Sequence, residues 1–350
     1  MTIDKSLSTT GIGSLPHHNI DAALAFSFGF DIPFLPQIPI RNPWEFMIPQ
    51  ALDSLPGLQV DPDGIPTVAL DIWETRTSKL RDRLHLAFSG DEQIIESFEP
   101  EPSTSSSWQP FLWELGERKS KIAKVQIAGP LTTQWSLRSK DGLPIAQNAE
   151  LTSQIYQIIL AKALAMVSRL KHIGVQPIIY LDEPALYCLY FSNPKHILAF
   201  QELKLLIQSI KKAGATVGIH CCSNTHWGAV VASGAQIISL DASLSLKNFL
   251  ETVPTVDIQN YLGLGGILSL GVISTSYSTH GLRSIQAKDV LAELTSLLET
   301  RGDQSFVQQV LSTSLFTPAC GLALQTVPDA EQIASLIEDF KKLRNESLSA

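Results

Sequence analysis

From about residue 120 onward, short apolar runs alternate with longer stretches in which apolar residues recur at helical spacing. Strands are expected at residues 124–128, 177–181, 215–219 and 236–240, with another within 261–270 and extended chain at 310–315. Helices are expected at residues 151–172, 197–212, 227–232, 290–300 and 331–343. Strands and helices that alternate at this spacing predict a parallel sheet joined by right-handed crossovers.

The first 120 residues follow this alternation less regularly. Residues 9–12 predict a strand, residues 21–28 a helix, and the Pro-rich region around Phe34 a second strand. Residues 54–107 are rich in Pro, Ser and acidic side chains, and we interpret them as irregular insertions. The predicted architecture is a single α/β domain over residues 1–350, a TIM (β/α)8 barrel with N-terminal insertions. The alternative is an open doubly wound sheet, which is disfavoured because no Gly-rich phosphate loop follows a strand.

Composition and charge narrow the class of protein. The 350 residues are 44% hydrophobic and 17% charged, which suits a large core and argues against disorder. The net charge of −8 disfavours nucleic acid or an anionic membrane as a partner. The N-terminal residues lack an export signal, and we find no apolar run typical of a membrane span. The chain has four cysteines, too few for a disulfide framework, so we expect a cytoplasmic protein.

Polar and sulfur-containing residues follow the predicted strands at the points where those strands end. They are Ser14 after the first strand, Asp182 and Glu183 after 177–181, His220 to Cys222 after 215–219, Asp241 after 236–240, and Cys320 near the last strand. In a barrel, functional groups collect at the carboxyl ends of the strands. The sequence therefore predicts one site to which several strand ends contribute.

An imidazole and two thiolates, from His220, Cys222 and Cys320, would favour Zn²⁺ over Mg²⁺ or Ca²⁺. A zinc site of this kind would hold a substrate thiol as the nucleophilic thiolate at neutral pH. Other interpretations stay open for neighbouring residues. Cys188 and Cys221 suit core packing, and the acids before Pro184 suit the first turn of a helix.

Five segments together resemble the catalytic C-terminal barrel of the cobalamin-independent methionine synthase family, and above all its short "core" members. The resemblance runs over most of the chain, because the segments lie in the same order from near one terminus to near the other. They are residues 9–16 (TTGIGSLP), 129–132 (GPLT), 181–186 (LDEPAL), 220–222 (HCC) and 317–322 (TPACGL).

The resemblance implies a role for each matching residue. His220, Cys222 and Cys320 correspond to zinc ligands, and Asp241 stands where the family has a further glutamate ligand, one methylene longer. The segment Ile12, Gly13 and Ser14 would bind the amino-acid part of homocysteine. Asp182 would pair with the substrate ammonium. Glu45 is the candidate for a second carboxylate at that ammonium.

A departure from the family bears on the methyl donor. The folate-using members carry, after a late strand, a His that helps to protonate the leaving amine, and Ser276 stands at that position here. An amine leaving group needs that proton, whereas a methylated corrinoid needs none. The 350 residues also contain no counterpart of the N-terminal barrel that helps to hold the folate. We therefore expect methylcobalamin or a methylated corrinoid protein as donor.

The resemblance thus implies a zinc-dependent methyltransferase that forms methionine from homocysteine. Three alternatives remain open: a folate-dependent methionine synthase, a methyl-corrinoid transferase acting on another thiol such as coenzyme M, and a non-catalytic zinc- or corrinoid-binding accessory protein. The segment containing Ser14, together with Asp182, favours an amino-acid acceptor over a sulfonate, because a sulfonate needs cations. A uroporphyrinogen-type decarboxylase shares the architecture but does not need the His and Cys set.

Overall fold

The computed structural model describes residue 4, residues 7–276 and residues 279–349, with the side chains of residues 279 and 280 excepted. Within these ranges the strands form two sheets. The larger sheet holds β3 (Ile122–Ala128), β5 (Gln176–Asp182), β6 (Thr216–Cys221), β7 (Ile237–Asp241), β8 (Ile267–Ile273) and β9 (Leu315–Pro318). The smaller sheet holds β1 (Leu58–Val60), β2 (Pro66–Val68) and β4 (Arg138–Ser139).

Helices separate the strands of the larger sheet and cover it. The α-helices are α1 (Ile20–Ser27), α2 (Met47–Ala51), α3 (Leu70–Phe88), α4 (Glu92–Glu96), α5 (Trp108–Glu117), α6 (Pro130–Ser136), α7 (Ala149–His172), α8 (Pro194–Lys212), α9 (Trp227–Val231), α10 (Ala242–Thr252), α11 (Thr255–Gly263), α12 (Thr279–Ser284), α13 (Ala287–Glu299), α14 (Gln304–Thr313) and α15 (Val327–Ser349). Short 3-10 helices occur at Pro43–Glu45, Ile145–Gln147 and Pro184–Cys188.

Every neighbouring pair in the larger sheet is parallel, in the order β3-β5-β6-β7-β8-β9. Nearly all of its strand residues are buried, as expected for a parallel sheet with both faces covered. Parallel pairing brings the carboxyl ends of these strands to one side of the molecule. The predicted alternation of strands and helices is confirmed for this part of the chain.

Two extended N-terminal segments flank the edges of the larger sheet. Thr9 forms a single parallel bridge with Phe316 of β9, and Phe34 forms one with Lys124 of β3. The two segments bridge each other at Ser14 and Gln37. Because these are isolated bridges, the sheet of regular strands is a curled half-barrel of six strands that does not close. The predicted (β/α)8 barrel is therefore confirmed only as an α/β fold with a curled parallel sheet.

Two local predictions were wrong, and the bounds of a third differ from those expected. Residues 54–107 contain the regular helix α3, whose buried residues Trp73, Leu80 and Leu84 recur at helical spacing among many charged positions. Residues 310–313 belong to α14, and extended chain begins only at Leu315. Residues 261–263 complete α11, so the strand starts later, at Ile267. The buried residues of α3 and of α14 recur at helical spacing, and this period, not the overall composition of the segment, indicates the helix.

Among the described residues, one helix is long and apolar enough to cross a membrane, namely α7. In its most apolar window, 67% is buried inside the protein, as in the core helix of a globular fold. Cytoplasmic location stays a prediction.

A buried ion pair attaches the N-terminal region to α7. Lys162 Nζ lies 2.6 Å from Asp53 Oδ1, and both side chains are almost fully buried. The other oxygen, Asp53 Oδ2, accepts a hydrogen bond of 2.6 Å from Thr104 Oγ1. Both carboxylate oxygens of Asp53 therefore have a partner. One partner lies on α7, and the other lies in the segment that precedes α5.

Replacing Lys162 with Met should destabilise the fold, because the carboxylate of Asp53 would stay buried without its cation. We expect the free energy of unfolding to fall by roughly 3–5 kcal/mol in urea denaturation. The double variant Lys162→Met with Asp53→Leu is the control and should recover most of the loss. Unchanged stability in the single variant would contradict this role. One unfolding transition is also expected, since we predict a single domain.

Candidate metal centre

The carboxyl ends of two strands bring together an imidazole and two thiols. His220 lies at the end of β6, Cys222 follows that strand directly, and Cys320 lies two residues beyond β9. Their ligand atoms all lie within 4.8 Å of one another. The predicted set of His220, Cys222 and Cys320 thus forms one cluster, although β6 and β9 are separated in the sheet by two other strands.

The two ring nitrogens of His220 differ in their contacts, because one is within hydrogen-bond distance of a hydroxyl and the other is not hydrogen-bonded. Nδ1 lies 2.9 Å from Ser239 Oγ on the neighbouring strand β7. Nε2 is buried and has no hydrogen-bond partner among the described residues. A histidine ligand in proteins commonly binds its metal through one nitrogen while the other is held by a hydrogen bond. The orientation of His220 therefore suits metal binding through Nε2.

The two thiols share a proton. The hydrogen bond from Cys320 and the neighbouring His220 lower the pKa of Cys222 to about 4. The same contact with Cys222, together with burial, raises the pKa of Cys320. The contact thus favours the thiolate of Cys222, and both sulfurs would bind a cation as thiolates. One imidazole and two sulfurs suit Zn²⁺, so the residues present fit the metal that the sequence predicts.

Asp241 is not a member of this cluster. It is the N-cap of α10, and its Oδ1 accepts hydrogen bonds from the backbone N–H groups of Ser243 and Leu244 and from the Ser243 hydroxyl. Capping of this kind stabilises a helix N-terminus. The structure thus gives Asp241 a capping role and no support as the fourth zinc ligand.

Asp182 is a buried carboxylate at the end of β5, in register with His220. Its Oδ1 has no hydrogen-bond partner among the described residues. Burial raises the pKa of Asp182 to about 6, against the opposing attraction of His220 and Lys124. A buried carboxylate with a free oxygen beside the cluster suits a cationic group on a ligand.

The segment of Ile12, Gly13 and Ser14 packs directly against the chain that carries Cys320. The Leu322 N–H donates a hydrogen bond of 2.7 Å to the carbonyl of Ser14. A Cβ at Gly321 would lie 2.1 Å from Ser14 Oγ, so only glycine permits this approach. The structure therefore places the predicted amino-acid-binding segment next to the candidate metal centre.

Glu45 is buried, and both of its oxygens accept hydrogen bonds from this chain. Oε2 accepts one from the Ile38 N–H, and Oε1 accepts from the N–H and hydroxyl of Ser106. These contacts hold two N-terminal segments together. A role for Glu45 at a substrate ammonium stays a prediction.

The two motifs around residues 129–132 and 181–186 meet at Glu183. Its carboxylate accepts hydrogen bonds from the N–H groups of Leu131 and Thr132 and from the Thr132 hydroxyl, at the start of α6. Burial nevertheless raises the pKa of Glu183 to about 7. Glu183 thus fixes the loop after β3 against the loop after β5, and Asp182 beside it is left for the site.

The sequence analysis missed Ser239 and Lys124. Each is a buried polar side chain within a strand that is mostly apolar. A buried polar group needs a partner, and that rule is the signal that could have found them. Ser239 contacts the candidate ligand His220, and Lys124 contacts the carbonyl of Ile12.

Fold and cluster together define a parallel α/β protein with a candidate zinc site at its strand ends. A methyltransferase from Methanosarcina mazei is similar, with a TM-score of 0.57 at 13% identity over 96% of this chain and 92% of that one. A Listeria monocytogenes protein, proposed to be a vitamin-B12-independent methionine synthase, gives a TM-score of 0.42 at 14% identity over 77% and 94%. Likeness at such identities concerns the fold alone. No protein-family model and no curated protein sequence matches the chain.

Removing either sulfur should abolish stable zinc binding. In Cys222→Ser and Cys320→Ser we expect zinc affinity to fall by at least about 100-fold, since even partners that only orient a ligand cost 10–100-fold. Elemental analysis after dialysis against a weak chelator measures this. Cys188→Ser is the matched control and should retain the wild-type zinc content. Equal zinc in all three variants would exclude the cluster as the metal site.

Ser239→Ala tests whether the fixed orientation of His220 matters. Losing the hydrogen bond at Nδ1 should lower zinc affinity by roughly 10–100-fold, while leaving the metal stoichiometry at saturation unchanged. Competition with a chromogenic chelator gives the affinity. Ser269→Ala on the adjacent strand β8 is a suitable control, as its hydroxyl is buried without a hydrogen-bond partner among the described residues. A zinc affinity no lower than that of the control would contradict the orienting role.

Proposed function

We propose that this chain is a zinc-dependent methyltransferase of TIM-barrel type that forms methionine by methyl transfer to homocysteine. The carrying observation is the cluster of His220, Cys222 and Cys320 with the free carboxylate oxygen of Asp182 beside it. The cluster would bind the thiol of a ligand through the metal, and the carboxylate would bind the ammonium of the same ligand. The sequence resemblance supports this assignment independently of the geometry.

The cluster suits activation of a thiol. A bound Zn²⁺ would lower the pKa of a substrate thiol and so raise its thiolate fraction at neutral pH. His220 would contribute Nε2, because its Nδ1 is engaged by Ser239. Cys222 and Cys320 would contribute their sulfurs, and their mutual contact lowers the pKa of Cys222.

The surroundings of the cluster suit an amino-acid substrate. The Oδ1 of Asp182 is available for a substrate ammonium, and the segment of Ile12, Gly13 and Ser14 lies against the chain that carries Cys320. Holding the ammonium and the amino-acid backbone orients the ligand, and orientation of the nucleophile lowers the barrier to methyl transfer. A sulfonate thiol would instead meet a buried carboxylate, which is unfavourable.

The proposed donor is methylcobalamin or a methylated corrinoid protein. In that transfer the sulfur–carbon bond forms as the cobalt–carbon bond breaks, cobalt keeps the electron pair, and the thiol proton goes to solvent. No protonation of a leaving group is needed. This suits the exposed Ser276, just beyond β8, at the position where the folate-using relatives carry a His.

Assaying methionine formation tests the proposal. The zinc-loaded protein is given homocysteine with methylcobalamin or methyltetrahydrofolate, each in turn. We expect methionine to form with methylcobalamin alone. The rate should fall by at least about 100-fold in Cys320→Ala, because a zinc ligand is removed. The rate should be retained in Cys188→Ser.

The other outcomes each select an alternative. Turnover with methyltetrahydrofolate alone would overturn the donor and indicate a folate-dependent methionine synthase. Methylation of 2-mercaptoethanesulfonate in preference to homocysteine would overturn the acceptor. Zinc binding without methylation of either thiol would indicate a non-catalytic accessory protein.

A further inference from the structure

Lys124 places a fully buried ammonium in the interior of the curled sheet, on β3. No carboxylate oxygen lies within 4.0 Å of it among the described residues, in contrast to the buried Lys162 with its partner Asp53. Its Nζ donates to the carbonyl of Ile12 at 2.5 Å and to Gln126 Oε1 at 3.1 Å. It also lies 4.5 Å from the centre of the Tyr180 ring. The cation is held by dipoles and an aromatic face.

An ammonium in such surroundings is costly. Burial lowers the pKa of Lys124 to about 7, and the negative charge of Asp182 opposes that effect. An apolar side chain of the same length would fill this position without the desolvation cost. Packing alone therefore does not explain Lys124, whereas its hydrogen bonds next to the site can.

Those contacts fix one peptide. Ile12 directly precedes Gly13 and Ser14, and the hydrogen bond from Lys124 holds its carbonyl toward the interior. Gln126, two residues along β3, donates to the carbonyl of Leu35 and accepts from Lys124. A Cβ at Gly13, whose φ is +154°, would lie 2.5 Å from the Gln126 side chain, so the segment rests closely on this pair.

Ser14 in turn contacts the chain that carries Cys320, one of the candidate metal ligands. The carbonyl of Ser14 accepts from the Leu322 N–H, and Ser14 Oγ touches the position of Gly321, next to Cys320. Lys124 thus lies under the amino-acid-binding segment on one side and within the electrostatic reach of Asp182 on the other.

We infer that Lys124 is a positioning residue that makes the site selective for thiols carrying an amino-acid headgroup, by fixing the Ile12 carbonyl beside Gly13 and Ser14. This inference rests on the proposed function. It assigns Lys124 no contact with the metal or with the thiol sulfur. Removing it should therefore weaken recognition of the headgroup and leave binding of the sulfur intact.

The test compares two thiols by titration calorimetry with zinc-loaded protein: homocysteine, which has a four-carbon chain, and 3-mercapto-1-propanol, which has a three-carbon chain and lacks both charges. In Lys124→Met we expect the Kd of homocysteine to rise roughly tenfold to 100-fold, the range for losing hydrogen bonds to a charged group. The Kd of 3-mercapto-1-propanol should stay within about twofold, as should the zinc content. In turnover the effect should fall on KM more than on kcat.

Two further variants separate positioning from general damage. Lys162→Met removes another buried ammonium, so it should lower stability without changing the preference for homocysteine. Gln126→Met removes the acceptor beside Lys124 and the donor to the Leu35 carbonyl, but it keeps the hydrogen bond from Lys124 to Ile12. It should therefore shift the preference in the same direction by a smaller factor. A melting curve for each variant confirms that the compared proteins are folded.

The outcomes are distinguishable. The inference is overturned, while the proposed acceptor stands, if the wild type prefers homocysteine and Lys124→Met keeps that preference. If Lys124→Met does not fold, the same criterion applies to Gln126→Met. An equal rise in the Kd of both thiols would also overturn the inference, because the role of Lys124 would then be structural. If the wild type shows no preference for homocysteine, both the proposed acceptor and this inference fail.

Discussion

Parallel pairing of the strands is the constraint on which the rest of the structure depends. Antiparallel neighbours would send successive carboxyl ends to opposite sides, whereas six parallel strands bring all of theirs to one side. Asp182, His220 and Cys320 lie at or just beyond three of those ends. Crossover helices such as α7 and α8 follow from the same constraint, since a parallel connection must return along the outside of the sheet.

The interior beneath the site is less apolar than a barrel core needs to be. Lys124, Gln126, Asp182, Ser239 and Ser269 are all buried there. Some of these groups satisfy one another, and others have atoms without a partner among the described residues. Buried polar atoms without partners lower stability, so their concentration in this interior indicates a site for ligands and not a region selected for stability. The ion pair of Lys162 and Asp53, satisfied on all sides, shows the contrasting arrangement away from the site.

Carboxylates in similar sequence contexts serve different purposes here. Glu183 and Asp241 each follow or end a strand, and both accept hydrogen bonds from the first turn of a helix. Asp182 occupies an equivalent place in its strand but keeps an oxygen free. Whether such an acid caps a helix or faces a ligand depends on which N–H groups lie within its reach, and adjacent sequence does not specify this.

The sequence by itself determined the alternation of strands and helices beyond residue 120 and the candidate ligands His220, Cys222 and Cys320. Both follow from local information, because burial imposes periodicity on each element and the ligands come directly after apolar runs. Only the tertiary structure decided that the N-terminal segments form isolated bridges, that Asp241 caps α10, and that Lys124 and Ser239 support the site. These facts depend on strand register and on contacts across more than 100 residues in the case of Lys124 and Ile12. No local pattern encodes such distances, because they are set by how all the elements pack at once.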